Sequence, residues 1–245
     1  MTKQISPAAR TELAPTGKLR VGLNYQNFLL VLKDAPDGTP TGIAPDLARE
    51  LATRAGLPIE YVRFDAAGKL ADAVKSGAWD VAFLGAEPQR AGEITFSGAY
   101  LEIPVTFLVP AGSSIKNIQE IDAEGVRVAV SEKSAYDLYL SRSLKHARLV
   151  RIQGIEASFK LFLDQKLEAL AGLKPRLAAD SEALPGSRIL EGQITAVQQS
   201  IGVPRGRSEA AKYVRDFADD IKASGLVART IDKHRVRGVR VAPAG

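Results

Sequence analysis

The chain has 245 residues, of which 45% are hydrophobic and 25% charged, a composition typical of a soluble globular protein with one large domain or two small lobes. It contains no cysteine, which excludes disulfides and thiol chemistry, and its two histidines lie far apart, which argues against a histidine metal site or a Ser-His-Asp triad. The net charge is +5, but the basic residues are spread along the chain and aromatics make up only 6%, so we expect no nucleic-acid partner.

The N-terminal segment, residues 1–17, shows no apolar core of a signal peptide. No apolar run in the chain reaches about 18 residues, so no transmembrane helix is predicted.

The first part of the chain alternates strands and helices. Strands are predicted over 18–23 and 58–64, and a helix over 69–76 ends at Gly77. Asp46 opens the first long helix and is interpreted as an acid that suits the positive helix N-terminus. This order predicts parallel strands joined by right-handed crossovers.

The most informative stretch runs from Trp79 to Tyr100. Residues 81–84 form a wholly apolar run, typical of a strand buried on both faces, and Gly85 ends it. Arg90 follows closely, and a cation beyond the carboxyl end of a buried strand lies where open α/β sheets bind ligands. Its guanidinium can grip a carboxylate through two parallel hydrogen bonds. The alternative is an exposed arginine in a surface loop.

The second part of the chain repeats the pattern. A β-rich run over 105–109 is followed by a new strand over 125–130. The elements predicted after it are a helix over 134–145, a strand over 147–152, a helix over 156–165, a strand over 167–171, an extended run over 193–203 and a helix over 208–223. Residues 236–245 are expected to form a loose tail.

Three segments resemble the signature of the family 3 extracellular solute-binding proteins, the periplasmic amino-acid-type receptors of ABC importers. They are Gly-Ala-Trp-Asp-Val-Ala-Phe-Leu at 77–84, Pro-Gln-Arg-Ala at 88–91 and Ile-Thr-Phe-Ser-Gly-Ala-Tyr at 94–100. The resemblance covers about residues 18–235. It implies an α/β, two-lobed fold of the type II periplasmic-binding-protein kind, in which each lobe is a mostly parallel sheet flanked by helices and two strands form the hinge.

The resemblance also implies boundaries for the lobes. Lobe 1 is expected to comprise residues 18–107 and 202–235, and lobe 2 residues 108–201. Residues 1–17 and 236–245 are expected to be extensions.

The ligand site implied by the resemblance draws on both lobes. Arg90 matches the family's arginine that holds the ligand's α-carboxylate. The loop after the first strand contributes ligand contacts, often an aromatic ring, and here offers Tyr25, Asn27 and Phe28. The alternative for Phe28 is packing in the core.

From lobe 2, Ser134 aligns with a family residue that donates to the carboxylate, and Lys133 replaces a glycine. The alternatives are a helix N-cap for Ser134 and a solvated side chain for Lys133. Leu173 stands where amino-acid binders carry an aspartate that pairs with the α-ammonium.

Gly85, Ala86 and Glu87 also belong to the expected site, and the segment that contains them, residues 85–90, is shortened relative to the family. Glu87 could replace the missing negative charge, or it could be a first-turn helix acid. The resemblance therefore predicts a carboxylate ligand and leaves its α-amine open.

The expected function is capture of a small carboxylate, by hinged closure of the lobes, for an ABC permease in the inner membrane. We expect a periplasmic monomer without catalytic residues, metal or cofactor. One alternative is a cyclohexadienyl-dehydratase-like enzyme with Glu87 or Glu132 as general acid. Another is the ligand-sensing domain of a receptor.

Overall fold

The structure is a computed structural model that describes residues 5–243. The chain forms two compact units. Unit 1 is built from the chain up to Glu102 and from Gln198 onward, and unit 2 is Ile103–Val197. The lobe boundaries expected from the sequence, at 107/108 and 201/202, fall inside two long strands that run from one unit into the other.

Unit 1 begins as an alternation of helices and strands. Its first elements are α1 (Pro7–Leu13), β1 (Leu19–Asn24), α2 (Ile43–Ala55), β2 (Ile59–Phe64), α3 (Ala67–Asp72), β3 (Val81–Gly85) and β4 (Ile94–Phe96). The predicted helix over 69–76 is divided, because α3 ends at Asp72 and a 3₁₀ turn, Ala73–Ser76, follows it. Gly77 closes that turn with a φ of +64°, a conformation that glycine adopts without strain.

Unit 2 shows the strand–helix alternation that the sequence predicts, with shifted boundaries and with a helix over 174–182 and a short strand over 188–189 that the sequence analysis did not predict. In chain order the elements are β5 (Leu101–Val109), β6 (Arg127–Ser131), α4 (Ala135–Ser143), β7 (Arg148–Ile152), α5 (Ile155–Asp164), β8 (Ala169–Leu173), α6 (Lys174–Glu182), β9 (Arg188–Ile189) and β10 (Thr195–Pro204). Strand β5, predicted over 105–109, begins four residues earlier, and β8, predicted over 167–171, is displaced by two residues. Leu167 precedes the strand and packs in the apolar core of this unit with Phe162 and Leu170.

The chain completes unit 1 after β10. The last elements are α7 (Ser208–Ala223), α8 (Leu226–Lys233) and β11 (Arg240–Val241). The prediction of a loose tail over 236–245 is wrong for the part that the structure describes, because β11 pairs with the start of β5 and Ala242 is buried. The N-terminal segment is also integrated, since Leu13 is fully buried and Arg10 donates hydrogen bonds to the carbonyl oxygens of Ala55 and Gly56.

The sheet of unit 1 is mostly parallel. Its order is β2–β1–β3–β10, in which β1 runs parallel to both of its neighbours and β10 runs antiparallel to β3. Val21 lies opposite Val81, so β1 and β3 end at the same edge of the sheet. We call the two loops that leave this edge, residues 24–28 and 85–90, the carboxyl edge of unit 1.

Unit 2 has the same construction. Its strands run β5–β8–β6–β7, with β8, β6 and β7 parallel and β5 antiparallel to β8. Strands β6 and β8 therefore also end at a common edge, where Ser131 and Leu173 stand.

Candidate functional site

Seven of the ten predicted site residues belong to the carboxyl edge of unit 1. Tyr25, Asn27 and Phe28 follow β1, while Gly85, Ala86, Glu87 and Arg90 lie at and after the end of β3. The second loop is anchored to β10, because the backbone N–H of Ala86 donates to the carbonyl oxygen of Gln198 over 2.8 Å. Sequence reasoning missed this anchor, since Gln198 lies far along the chain and acts through its backbone.

Arg90 is a buried cation. Only 6% of the residue is exposed, and its Nη1 donates to the carbonyl oxygen of Gly85 over 2.6 Å. The 3₁₀ turn Pro88–Arg90 returns the chain toward the strand end and so permits this bond. The alternative of an exposed arginine in a surface loop is therefore wrong.

Two opposing effects set the pKa of Arg90. Burial lowers the pKa of Arg90 to about 10, while the negative charges of Glu87 and Asp72 act in the opposite direction. The guanidinium therefore remains protonated at neutral pH, in surroundings where a charge–charge interaction is stronger than in water. A cation held in this way can bind an anionic group tightly.

Glu87 lies at the N-cap position of the 3₁₀ turn. Its side chain forms no capping hydrogen bond, while its carbonyl oxygen accepts from the backbone N–H of Arg90 over 2.9 Å. The negative charge of its carboxylate opposes the effect of burial on the pKa of Arg90. Its expected contact with a ligand stays a prediction.

The ring of Tyr25 packs against charged side chains of unit 1. Its hydroxyl donates to Asp34 Oδ1 over 3.2 Å, and the guanidinium carbon of Arg63 lies 4.6 Å from the ring centroid. Burial raises the pKa of Tyr25 to about 12, with Arg63 opposing this change and Asp34 adding to it. One face of the ring is therefore covered by Arg63, and stacking on a ligand is restricted to the other face.

The exposure of Phe28 and the burial of Asn27 are the opposite of what is usual for an apolar and a polar side chain. Phe28 is 38% exposed, so the alternative that it packs in the core is wrong. Asn27 is only 6% exposed, and its Oδ1 has no hydrogen-bond partner among residues 5–243. Large apolar groups are normally buried and buried polar groups are normally paired, so both are unusual.

In unit 2, Ser134 is the N-cap of α4. Its Oγ accepts from the backbone N–H of Asp137 over 3.1 Å, as the capping interpretation predicts. In return, Asp137 Oδ2 accepts from the backbone N–H of Lys133 over 2.8 Å. Lys133 has a φ of +55°, the left-handed conformation that a glycine adopts easily. Its side chain is exposed.

Leu173 ends β8 and is buried without bringing any charge to this edge of unit 2. Asp137 of α4 is engaged by Arg151, whose Nε donates to Oδ1 over 2.9 Å. A further polar residue, Tyr136, was missed by sequence reasoning. Burial raises its pKa to about 12, and hydrogen bonds with Ser134 and Ser131 oppose the change.

The described part of the chain offers no group of three histidine, aspartate or glutamate side chains that could hold a metal ion. Within residues 5–243, each helix is too short or too polar to cross a membrane.

Comparisons with known proteins agree on one architecture. The family model of the bacterial extracellular solute-binding proteins, family 3, matches residues 19–236. No curated protein sequence matches the chain.

Three solved structures illustrate the similarity of fold. The solute receptor for L-cysteine of Neisseria gonorrhoeae has a TM-score of 0.78 at 20% identity, over 95% of this chain and 96% of that one. An ancestral arginine-binding protein bound to arginine has a TM-score of 0.74 at 22% identity, over 89% and 97%. The ancestral amino acid-binding protein AncCDT-1, a precursor of cyclohexadienyl dehydratase, has a TM-score of 0.74 at 21% identity, over 91% and 98%. The predicted α/β fold of the type II periplasmic-binding-protein kind is confirmed.

Proposed function

The chain belongs to the bacterial extracellular solute-binding proteins, family 3, and from this membership we propose that it binds a small ligand bearing a carboxylate, either an amino acid or a related organic acid. Closure of two lobes around that ligand, which the sequence resemblance implies, is part of the proposal.

The observation that carries the proposal is the burial of Arg90. Arg90 is only 6% exposed, retains its charge at neutral pH and stands just beyond the carboxyl end of β3. Moving a cation out of water is unfavourable unless charged or polar partners compensate it. Glu87 and Asp72 supply part of that compensation through their charges. A ligand carboxylate would add a further partner, because it can accept two parallel hydrogen bonds from one guanidinium.

The relatives bear on the type of carboxylate. Two of the similar structures are described as a receptor for L-cysteine and a protein bound to arginine. In this chain Leu173 brings no charge to the edge of unit 2, and Asp137 is already paired with Arg151. Glu87 is the acid that we propose would face an α-ammonium, if the ligand carries one.

We place this binding protein in the periplasm, as a monomer that delivers its ligand to an ABC permease in the inner membrane. Release to a permease requires reversible binding and no covalent chemistry, so the chain is proposed not to be an enzyme. Size-exclusion chromatography with light scattering measures the molar mass and so tests whether the protein is a monomer. A permease reconstituted in vesicles checks the delivery, because its ATP hydrolysis should rise when the loaded protein is added.

The central experiment is calorimetric titration of purified protein with amino acids, hydroxy acids, keto acids and aromatic acids. The best ligand is then titrated into Arg90→Ala, for which we expect a loss of affinity on the order of 100-fold or more, because a buried charged hydrogen bond is removed. Arg205→Ala is the matched control. Arg205 is exposed, and its Nη1 donates to the carbonyl oxygen of Ala91, one residue beyond Arg90. Equal affinity of Arg90→Ala and wild type would overturn the proposal.

The enzymatic alternative has one specific observation in its favour, the similarity to a structure described as a precursor of cyclohexadienyl dehydratase. Incubation with prephenate and arogenate tests it. Turnover that is lost in Glu87→Gln or Glu132→Gln would replace the binding function by a dehydratase, whereas absence of turnover supports a binding protein. A ligand-sensing domain would share the Arg90 dependence but would not stimulate the permease.

A further inference from the structure

We propose that residues 229–240 of unit 1 bind a membrane surface weakly and reversibly, through the anionic headgroups of its phospholipids. We call the cations of this segment the basic surface. The inference goes beyond ligand capture. It uses the proposed function in one respect only, namely that a protein delivering its ligand to a permease works beside the inner membrane.

The first observation is the concentration of positive charge. Residues 229–240 contain five arginine and lysine side chains and one acid, Asp232, so they carry a net charge of +4 with His234 counted as neutral. Since the whole chain carries +5, all its other residues together carry only +1. The five cations, all of them exposed, are Arg229, Lys233, Arg235, Arg237 and Arg240.

Neighbouring acids neutralise only part of this charge. Asp46 binds Lys233 and Glu102 binds Arg240, while Arg49 adds a further cation beside Asp46. An excess of three positive charges therefore remains after these neighbours are counted. Lys233 and Arg240 are still 64% and 61% exposed, so both can also reach an external anion.

Two of the cations are not used within the fold. The side chains of Arg235 and Arg237 make no ion pair or hydrogen bond with any residue that the structure describes. Arg235 also follows the C-cap of α8, where glycine is the usual residue, and its φ of +52° is a left-handed conformation that is unfavourable for arginine. A strained residue of this kind indicates a function for its side chain.

The basic surface is held in place at both of its ends. In α8, Val227 and Thr230 are buried, which leaves Arg229 and Lys233, four residues apart, on the exposed face of the helix. At the other end, β11 pairs with β5. The cations are therefore displayed together without any folding step on binding, which would reduce the affinity.

The composition of the segment favours phospholipid headgroups over a nucleic acid or a protein. Residues 229–240 include no phenylalanine, tyrosine or tryptophan, so they offer neither a stacking platform for bases nor an aromatic anchor for a protein interface. Long cationic side chains that are not fixed by partners can instead adapt to the many phosphate groups of a bilayer surface. Three to five such charges correspond to a partition coefficient on the order of 10² to 10⁴ M⁻¹.

Sedimentation with lipid vesicles tests the inference. The protein is mixed at low ionic strength with vesicles of phosphatidylglycerol and phosphatidylethanolamine in equal parts, or of phosphatidylcholine alone. We expect binding only to the anionic vesicles, and loss of this binding in about 0.5 M NaCl, because salt screens exposed charges. Neither a ligand nor a permease is present in the experiment.

Two double variants of equal net charge separate the basic surface from the charge of the whole protein. In Arg235→Gln/Arg237→Gln we expect the partition coefficient to fall roughly 10- to 30-fold, because two cations near the headgroups are lost. Lys75→Gln/Lys212→Gln is the matched control and should bind within about 2-fold of wild type. Lys75 precedes β3 and Lys212 lies near the start of α7, and both are exposed. Melting temperatures confirm that both variants are folded.

A fluorescent label identifies the surface that faces the lipid. Because the chain contains no cysteine, a single dye can be attached at Ala228→Cys on the exposed face of α8, or at Ser76→Cys in the turn before β3. Spin-labelled lipid in the anionic vesicles should quench the dye at residue 228 and not the dye at residue 76.

Several results would overturn the inference. They are absence of binding to anionic vesicles at low ionic strength, equal binding to phosphatidylcholine, equal weakening of the two double variants, and equal quenching of the two dyes. Loss of permease stimulation in Arg235→Gln/Arg237→Gln without any vesicle binding would also overturn it, and would assign the basic surface to an acidic protein partner. None of these results affects the carboxylate proposal, which Arg90→Ala tests in the absence of vesicles.

Discussion

Arg20 and Asp80 form a two-pronged ion pair at the amino ends of β1 and β3, with Nε to Oδ2 and Nη2 to Oδ1 both at 2.8 Å. Arg207, which precedes α7, donates a further hydrogen bond to Oδ1 over 2.9 Å. Unit 2 contains a counterpart. Arg127 at the start of β6 binds Glu168, just before β8, with the same two distances of 2.8 Å. The two units therefore have the same kind of ion pair at corresponding strand starts, in addition to the same order of elements.

The two ion pairs differ in burial, which predicts different contributions to stability. The side chain of Asp80 is fully buried, whereas that of Glu168 is 36% exposed. We expect Asp80→Asn to lower the free energy of unfolding by about 3–5 kcal/mol, because Arg20 and Arg207 are left without their counter-charge. Glu168→Gln should cost about 1 kcal/mol or less, because water screens that pair. Urea denaturation at neutral pH measures both losses of stability. Equal losses in the two variants would contradict the conclusion that burial makes the Asp80 pair the stronger one.

Gly22 in β1 gives room to two core side chains. A Cβ at this position would lie 2.5 Å from Leu70 Cδ1 and 3.2 Å from the indole of Trp79. Trp79 is held in place by a hydrogen bond from its Nε1 to the carbonyl oxygen of Leu70 over 2.8 Å. We expect Gly22→Ala to destabilise the protein by about 1–3 kcal/mol through overpacking. Gly92→Ala, whose Cβ would meet no atom within 4 Å, is the control and should leave the melting temperature nearly unchanged.

Asp46 connects the start of α2 to the end of α8. Its Oδ2 accepts from Lys233 Nζ over 2.7 Å and lies 2.8 Å from His234 Nε2, and Arg49 binds its other oxygen. Burial alone would raise the pKa of Asp46, but the hydrogen bonds from Lys233, His234 and Arg49 outweigh it and hold the pKa below its usual value.

A depressed carboxylate pKa stabilises the fold above the pKa of the unfolded chain, about 3.9, and this contribution is lost as the pH falls through the folded value. We therefore expect Asp46→Asn to be less stable than wild type at pH 6–7, by about 1 kcal/mol or more. The difference should shrink below about pH 4 and disappear at lower pH. Melting temperatures of both proteins from pH 3 to pH 7 measure this. A difference that does not depend on pH would show that the charge of Asp46 is not responsible.

The C-terminal strand β11 holds the beginning of β5. Val241 pairs with Leu101 and Arg240 with Glu102, and the N–H of Ala242 donates to the carbonyl oxygen of Tyr100. We expect removal of residues 239–245 to lower the melting temperature clearly, because backbone pairing and a buried alanine are lost. Arg240→Ala should cost less than about 1 kcal/mol, since its side chain is 61% exposed. If the truncated protein and Arg240→Ala have the same melting temperature, the pairing of β11 with β5 contributes little to stability.

The sequence by itself determined most of the strand–helix order, and also the family, because these depend on short-range patterns. The apolar run Val81–Leu84, the spacing of Leu47 and Leu51 and the turn at Gly77 are all visible within a few residues. It also placed Arg90 just beyond a strand end, since a strand boundary is a local feature. Sequence reasoning missed the helices α1, α6 and α8 and the short strands β4, β9 and β11. A short strand is recognised only by the strand with which it pairs.

Only the tertiary structure decided which side chains are buried and which are paired. Arg90 is buried, Phe28 is exposed, and Asn27 keeps an unpaired oxygen, although all three belong to the same carboxyl edge of unit 1. Asp46, interpreted from the sequence as an acid that suits the helix N-terminus, does lie in the first turn of α2, and only folding brings Lys233 of α8 to it. Burial and pairing depend on segments that are distant along the chain and brought together only by folding, which is why local patterns predict the elements but not the chemical state of the candidate site.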